Sequence, residues 1–157
     1  MTALALEFRE ASLRYRDGSR PALDRVSFGV AAEERAALLG LNGSGKTSLL
    51  LAAVGLLPVQ GVITAHGLVL SRTTLSQIRK QTGFVFSVPE DQLLLPSVIE
   101  DVAFALMNHD CDRTTAIEQA RYALERVGLA GFESRELGSL SHGEKQRVAI
   151  AGALVAK

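Results

Sequence analysis

A chain of 157 residues is enough for one modest domain, and folding at this size buries roughly 68–70% of the unfolded surface without help from disulfides or metals. With 47% hydrophobic and 22% charged residues it is neither a disordered tail nor a low-complexity linker. Seventeen basic residues balance seventeen acidic ones, which argues against a nucleic-acid partner, and the single Cys111 excludes an internal disulfide and fits a reducing compartment.

In chain order, Leu4, Leu6 and Phe8 alternate with Ala5, Glu7 and Arg9, and the strand pattern continues through Ser12-Leu13-Arg14-Tyr15. No apolar leader precedes it. Residues 16–19 read as a turn, and Val26-Ser27-Phe28-Gly29-Val30 resumes the alternation. Ala36-Ala37-Leu38-Leu39, cut short by Gly40, predicts a buried strand. A helix beginning near Lys46 is expected to run to Leu57 and to close at Pro58; residues 49–59 are too short and too interrupted to span a membrane. Two short strands follow around Gly67, then a short helix over 75–81, a strand at Gly83-Phe84-Val85-Phe86 and a loop over 87–91. A helical region comes next. In it Asp112 is an N-cap, Ile117, Ala120, Leu124 and Val127 share a face, and Gly128-Leu129 is the stop. The last helix starts at Ser141 and runs to the end.

Two motifs carry chemistry. Gly40-Leu41-Asn42-Gly43-Ser44-Gly45-Lys46-Thr47 matches G-x-x-x-x-G-K-[ST] at every fixed position. Its glycines let successive backbone N–H groups turn inward on an anion, and the helix that follows adds its positive end. Lys46 suits the β- and γ-phosphates, and the Thr47 hydroxyl suits Mg²⁺. Chance would produce the match in under roughly 1% of chains this long. The second motif, Leu140-Ser141-His142-Gly143-Glu144-Lys145-Gln146-Arg147, gives Ser141 and Glu144 capping-box spacing at the start of the last helix. By itself it reads as an ordinary capped helix.

Together, with Ser141 lying 95 residues after Lys46 (141 − 46), the two motifs resemble the ATP-binding cassettes (ABC ATPases), whose signature is Leu-Ser-Gly-Gly-Gln or a close variant. The resemblance implies an α/β P-loop NTPase fold of the ABC nucleotide-binding type, with an N-terminal antiparallel β part and a helical subdomain. Residues 1–157 would form one such domain, strand-rich over 1–91 and helical over 92–157. It implies ATP and Mg²⁺ as cofactors, with Lys46 as the phosphate clamp and Thr47 as the Mg²⁺ ligand. Tyr15 would stack on adenine and Ser48 would add a second hydroxyl near the phosphates, while Ser141, Gly143 and Glu144 would face the γ-phosphate of ATP held by a second ATPase subunit, identical or not. The stretch from Pro89 to Phe104, and Arg147-Val148-Ala149-Ile150-Ala151-Gly152-Ala153-Leu154, resemble the energy-coupling-factor branch, which takes up cobalt, nickel or vitamins. That places the protein at the cytoplasmic face of the membrane, against a membrane-embedded transporter subunit.

Three positions depart from the family pattern. Ser87 stands where a glutamine helps place Mg²⁺ and the attacking water, so slowed hydrolysis is expected. His142 replaces the first glycine of the signature, and Glu33 replaces another glycine in a surface turn. The Walker B strand, the catalytic Glu and the switch His are absent from the 157 residues, and both His66 and His109 precede the signature. The expectation is a cassette cut short before Walker B, with an open apolar strand edge beside the P-loop strand and with hydrolysis requiring sequence beyond Lys157. Alternatives are a non-hydrolysing remnant that completes another cassette through Ser141, a small-molecule P-loop kinase, and a DNA-repair or iron–sulfur-assembly cassette. The kinase explains neither Tyr15 nor the signature, and residues 89–104 favour a transporter over the last.

Overall fold

The structure, a computed structural model, describes residues 4–16, 20–108 and 111–155; positions 17–19 of the expected turn, His109 and the last two residues of the helix expected to run to the end lie outside them. The chain divides between Arg79 and Lys80 into two compact units, each with its own core.

The first unit is built on an antiparallel sheet ordered β2-β1-β3-β4, from β1 (Leu4–Leu13), β2 (Leu23–Ala31), β3 (Gln60–Ala65) and β4 (Leu68–Val69). The alternation of β1 does not run unbroken. Its register against β2 steps from Phe8↔Phe28 to Ala11↔Val26, with Glu10 at φ 50°. This bulge lets Phe8, Ala11 and Leu13 all face the core although the first two lie three positions apart. Helix α1 (Lys46–Ala53) packs Leu49 and Ala52 onto that face with Leu23 and Ile63, and Phe8 stacks on Phe28 at 4.9 Å. The helix stops four residues short of Leu57. Gly55, at φ 66°, donates its N–H to the Ala52 carbonyl, and Leu56 donates to Leu51, the double bond of a Schellman end.

The expected strand at residues 36–39 is not one. No strand among the described residues pairs with it, so it has no ladder, and Leu39 is 88% exposed. Leu38 instead borders an apolar cleft of about 520 Å³ together with Phe8, Phe28, Leu49 and Leu50.

The second unit, after the short α2 (Leu75–Lys80), packs α3 (Val98–Met107), α4 (Arg113–Arg126) and α5 (His142–Val155) around Val98, Val102, Ala120, Leu124, Leu129 and Val148. Both ends of α4 follow from its residues. The Asp112 carboxylate accepts the Thr115 N–H at 3.0 Å, and Gly128 (φ 71°) and Leu129 donate to Glu125 and Leu124. Residues 83–86 form no strand either. The Phe86 N–H goes to the Gln92 side chain at 2.7 Å rather than to a ladder, and Gln92 also donates to the Ala149 carbonyl of α5 at 3.5 Å. Among the described residues no helix is long and apolar enough to cross a membrane.

Candidate functional site

The loop from Gly40 to Gly45 leads straight into α1. Gly43 and Gly45 take φ of 81° and 90°, with Ser44 between them on the ordinary side, which is the alternation that turns successive N–H groups toward one point. Gly45 is the N-cap residue of α1, and a β-carbon there would run into the Ala22 carbonyl oxygen. At Gly40 a β-carbon would sit 2.7 Å from the Ser44 hydroxyl. At Gly45 only glycine lets the two backbones approach, whereas at Gly40 the contact is with a side-chain hydroxyl, and the Ser44 N–H donates to the Leu41 carbonyl at 3.2 Å.

Lys46 folds back over the loop, its ammonium donating to the carbonyls of Gly40 (2.8 Å) and Leu41 (2.7 Å). Leu41 and Asn42 form the exposed crest, and the exposed Thr47 follows Lys46 in the first turn of α1. Ser48, buried, shares a hydrogen bond of 3.0 Å with the Tyr15 hydroxyl. Tyr15 lies just past the end of β1 with 43% of its surface exposed. The bond anchors its ring beside the P-loop helix and leaves ring surface open. Structure thus brings together Tyr15 and residues 40–48 in the first unit.

Ser141, Gly143, Glu144 and Ser87 belong to the second unit. Ser141 caps α5 reciprocally: its N–H and its hydroxyl both donate to Glu144 Oε2 at 2.7 Å, and the Glu144 N–H returns to the Ser141 oxygen at 3.3 Å. The Ser141 hydroxyl holds the Glu144 carboxyl below the usual carboxylate range, and the Ser141 N–H adds to it. Glu144 therefore braces Ser141 at the helix end. A β-carbon at Gly143 would meet open space, and Ser87 is exposed at a bend. His142 and Glu33 are exposed too, and Glu33 takes φ 65°, the conformation a glycine would adopt without strain.

Three further residues have clear structural duties. Gln92 bridges Phe86 and α5, Glu90 reaches Lys145, and Asp101 accepts the N–H groups of Leu94 (2.6 Å) and Leu95 (2.9 Å). Their signal is the acidic, proline-bounded run from Pro89 to Pro96, which needs side chains to satisfy a loop backbone.

A family model described as ABC transporter matches residues 23–157. The energy-coupling factor transporter ATP-binding protein EcfA1 of Levilactobacillus brevis is 41% identical over 153 residues, covering 97% of this chain and 55% of that protein. Among solved structures, cbiO1 of Clostridium perfringens, part of the ABC transporter complex cbiONQ, superposes with a TM-score of 0.84 at 32% identity, over 98% of this chain and 62% of its own. The dimeric ATP-binding cassette MJ0796, bound to ADP and Pi after hydrolysis, superposes with a TM-score of 0.85 at 25% identity, over 96% and 69%. The chain spans about half the length of the curated relatives it matches.

Proposed function

The chain belongs to the ABC transporter family, and on that premise we propose that it is the ATP-binding part of an importer, coupling ATP binding and hydrolysis to uptake of cobalt or nickel ions or of a vitamin. The observation that carries the reading is one chain holding both a glycine loop shaped for phosphate and a capping-box helix that presents Ser141. The names of the L. brevis relative and of the cbiO1 structure supply the transport class.

In this reading the N–H groups of residues 40–45 receive the phosphates, and Lys46 moves from the loop carbonyls onto the β- and γ-oxygens. Tyr15 stacks on the base and Ser48 holds Tyr15 in place. Thr47 offers Mg²⁺ a single hydroxyl. Ser141 and the Gly143 N–H, at the positive end of α5, face the γ-phosphate on a second cassette, as in a head-to-tail pair. The pair sits at the cytoplasmic face of the membrane against a membrane-embedded subunit. Residues 1–157 act as one nucleotide-binding domain with a strand-rich and a helical part, and hydrolysis is a property of the full-length protein.

A second reading, a cassette that binds nucleotide but turns it over slowly and completes its partner's site, is favoured by the short hydroxyl of Ser87 at the glutamine position. One experiment separates the two. A fluorescent ATP analogue binds the full-length protein in both, and Lys46→Ala weakens it at least tenfold. Phosphate release that rises severalfold in Ser87→Gln supports the second reading; equal turnover leaves the first. Unchanged analogue binding by Lys46→Ala refutes both.

A further inference from the structure

The nucleotide reading leaves unused one charged cluster in the second unit. Glu90 occupies the short 3-10 turn Pro89–Asp91, three residues after Ser87, and its carboxylate reaches the first turn of α5. Lys145 Nζ donates to Glu90 Oε1 at 3.0 Å, and His142 Nδ1 lies 3.9 Å from Glu90 Oε2. Three residues apart, His142 and Lys145 share one face of α5 and hold the same carboxylate from two sides. Hydrogen bonding in its own turn, then the Lys145 ammonium, keep the Glu90 carboxyl below the usual range. The other charges near this helix end are accounted for. Glu144 is engaged by Ser141, Arg135 and Arg147 act on Glu144, and Asp91 follows Glu90 in the turn.

An ion pair this exposed contributes little to stability. Its consequence is geometric, because it fixes the segment after Ser87 to the helix end that presents Ser141. We propose that Glu90 is a positioning residue that, through Lys145 and His142, couples residues 87–91 to the signature end of α5, and that protonation of His142 tightens this coupling and with it ATP-dependent pairing with a second copy of the chain. The inference rests on the reading of Ser141 given above. A proton on the His142 imidazole adds a second positive partner for the Glu90 carboxylate.

The test measures ATP-dependent self-association of the full-length protein by light scattering at pH 6 and pH 8, beside binding of a fluorescent ATP analogue. Glu90→Gln and Lys145→Ala are each expected to leave analogue binding within about twofold and to weaken association about three- to fivefold, with Glu90→Asp recovering part of the loss. The wild type associates more tightly at pH 6, and both His142→Gln and Glu90→Gln erase that difference. Association unchanged in these variants, or a pH difference that survives in them, overturns the proposal. So does loss of analogue binding in Glu90→Gln, which would make Glu90 a residue of the fold. If the wild type binds analogue but does not pair, and a Ser141→Arg control is equally silent, the reading of Ser141 falls and the coupling with it.

Discussion

Gly45 and Gly43 share a left-handed backbone, yet replacing them has different consequences. At Gly43 a β-carbon meets open space and only the backbone conformation is strained, at about 1 kcal/mol; at Gly45 the same carbon also strikes the Ala22 carbonyl. Gly45→Ala is therefore expected to weaken ATP-analogue binding at least tenfold and to lower the melting temperature, while Gly43→Ala does each to a smaller degree. Fluorescence titration and thermal unfolding of the pair check this. Tyr15 separates ring from hydroxyl in the same way. If Tyr15 stacks on the base as proposed, Tyr15→Ala is expected to lose about 1–3 kcal/mol, roughly five- to 150-fold in affinity by fluorescence titration, equally for ATP and GTP because every base has a π-face. Tyr15→Phe keeps the ring, forfeits only the bond to Ser48, and should lose less than about tenfold.

At the scale of elements, two carboxyls in the helical unit pull the pH dependence of stability in opposite directions. Glu144 sits below its ordinary range because Ser141 donates to it. Its contribution is present above the unfolded-state value and is lost as pH falls through the lower folded one. Asp101 is raised, because burial outweighs the N–H donors Leu95 and Leu94. Its contribution is complete in acid and is lost as pH rises through the raised folded value. Urea midpoints between about pH 3 and 7 should show a shallower acid fall in Glu144→Gln, whereas Asp101→Asn removes a decline on the way to neutrality. Elements whose stabilising groups are local were legible in the sequence: the glycine loop, the Asp112 cap and Gly128-Leu129 stop of α4, and the Ser141–Glu144 box. The end of α1 carries the same Gly-Leu signal at Gly55-Leu56, ahead of the stop expected at Pro58. The strands expected at residues 36–39 and 83–86 are absent for a deeper reason. A strand exists through its neighbours, and apolar character alone cannot say whether a partner is there to complete the ladder. Glu90 and Asp101 stayed obscure because their partners lie in loops or on α5, up to 55 positions away for Glu90 and Lys145.

The molecule as a whole carries two separate apolar cores, one under the sheet and α1 and one among α3, α4 and α5. Damage to one core should register there first. Leu124 is fully buried, and Leu124→Ala is expected to cost about 2–5 kcal/mol. Native-state hydrogen exchange should then show faster exchange across α3–α5, while β1 and β3 keep their protection; a uniform loss over both units would show that they open as one. The lysine of the phosphate loop has a consequence at this scale too. With its ammonium already resting on the Gly40 and Leu41 carbonyls, the free loop contains its own competitor for the cation. On the proposed reading nucleotide entry is for Lys46 a substitution, one set of oxygens for another, and the lysine's share of the affinity reflects the difference between phosphate and carbonyl as acceptors. Much of the dehydration of that charge has been met beforehand, so affinity should vary less with salt than the charges of the triphosphate suggest.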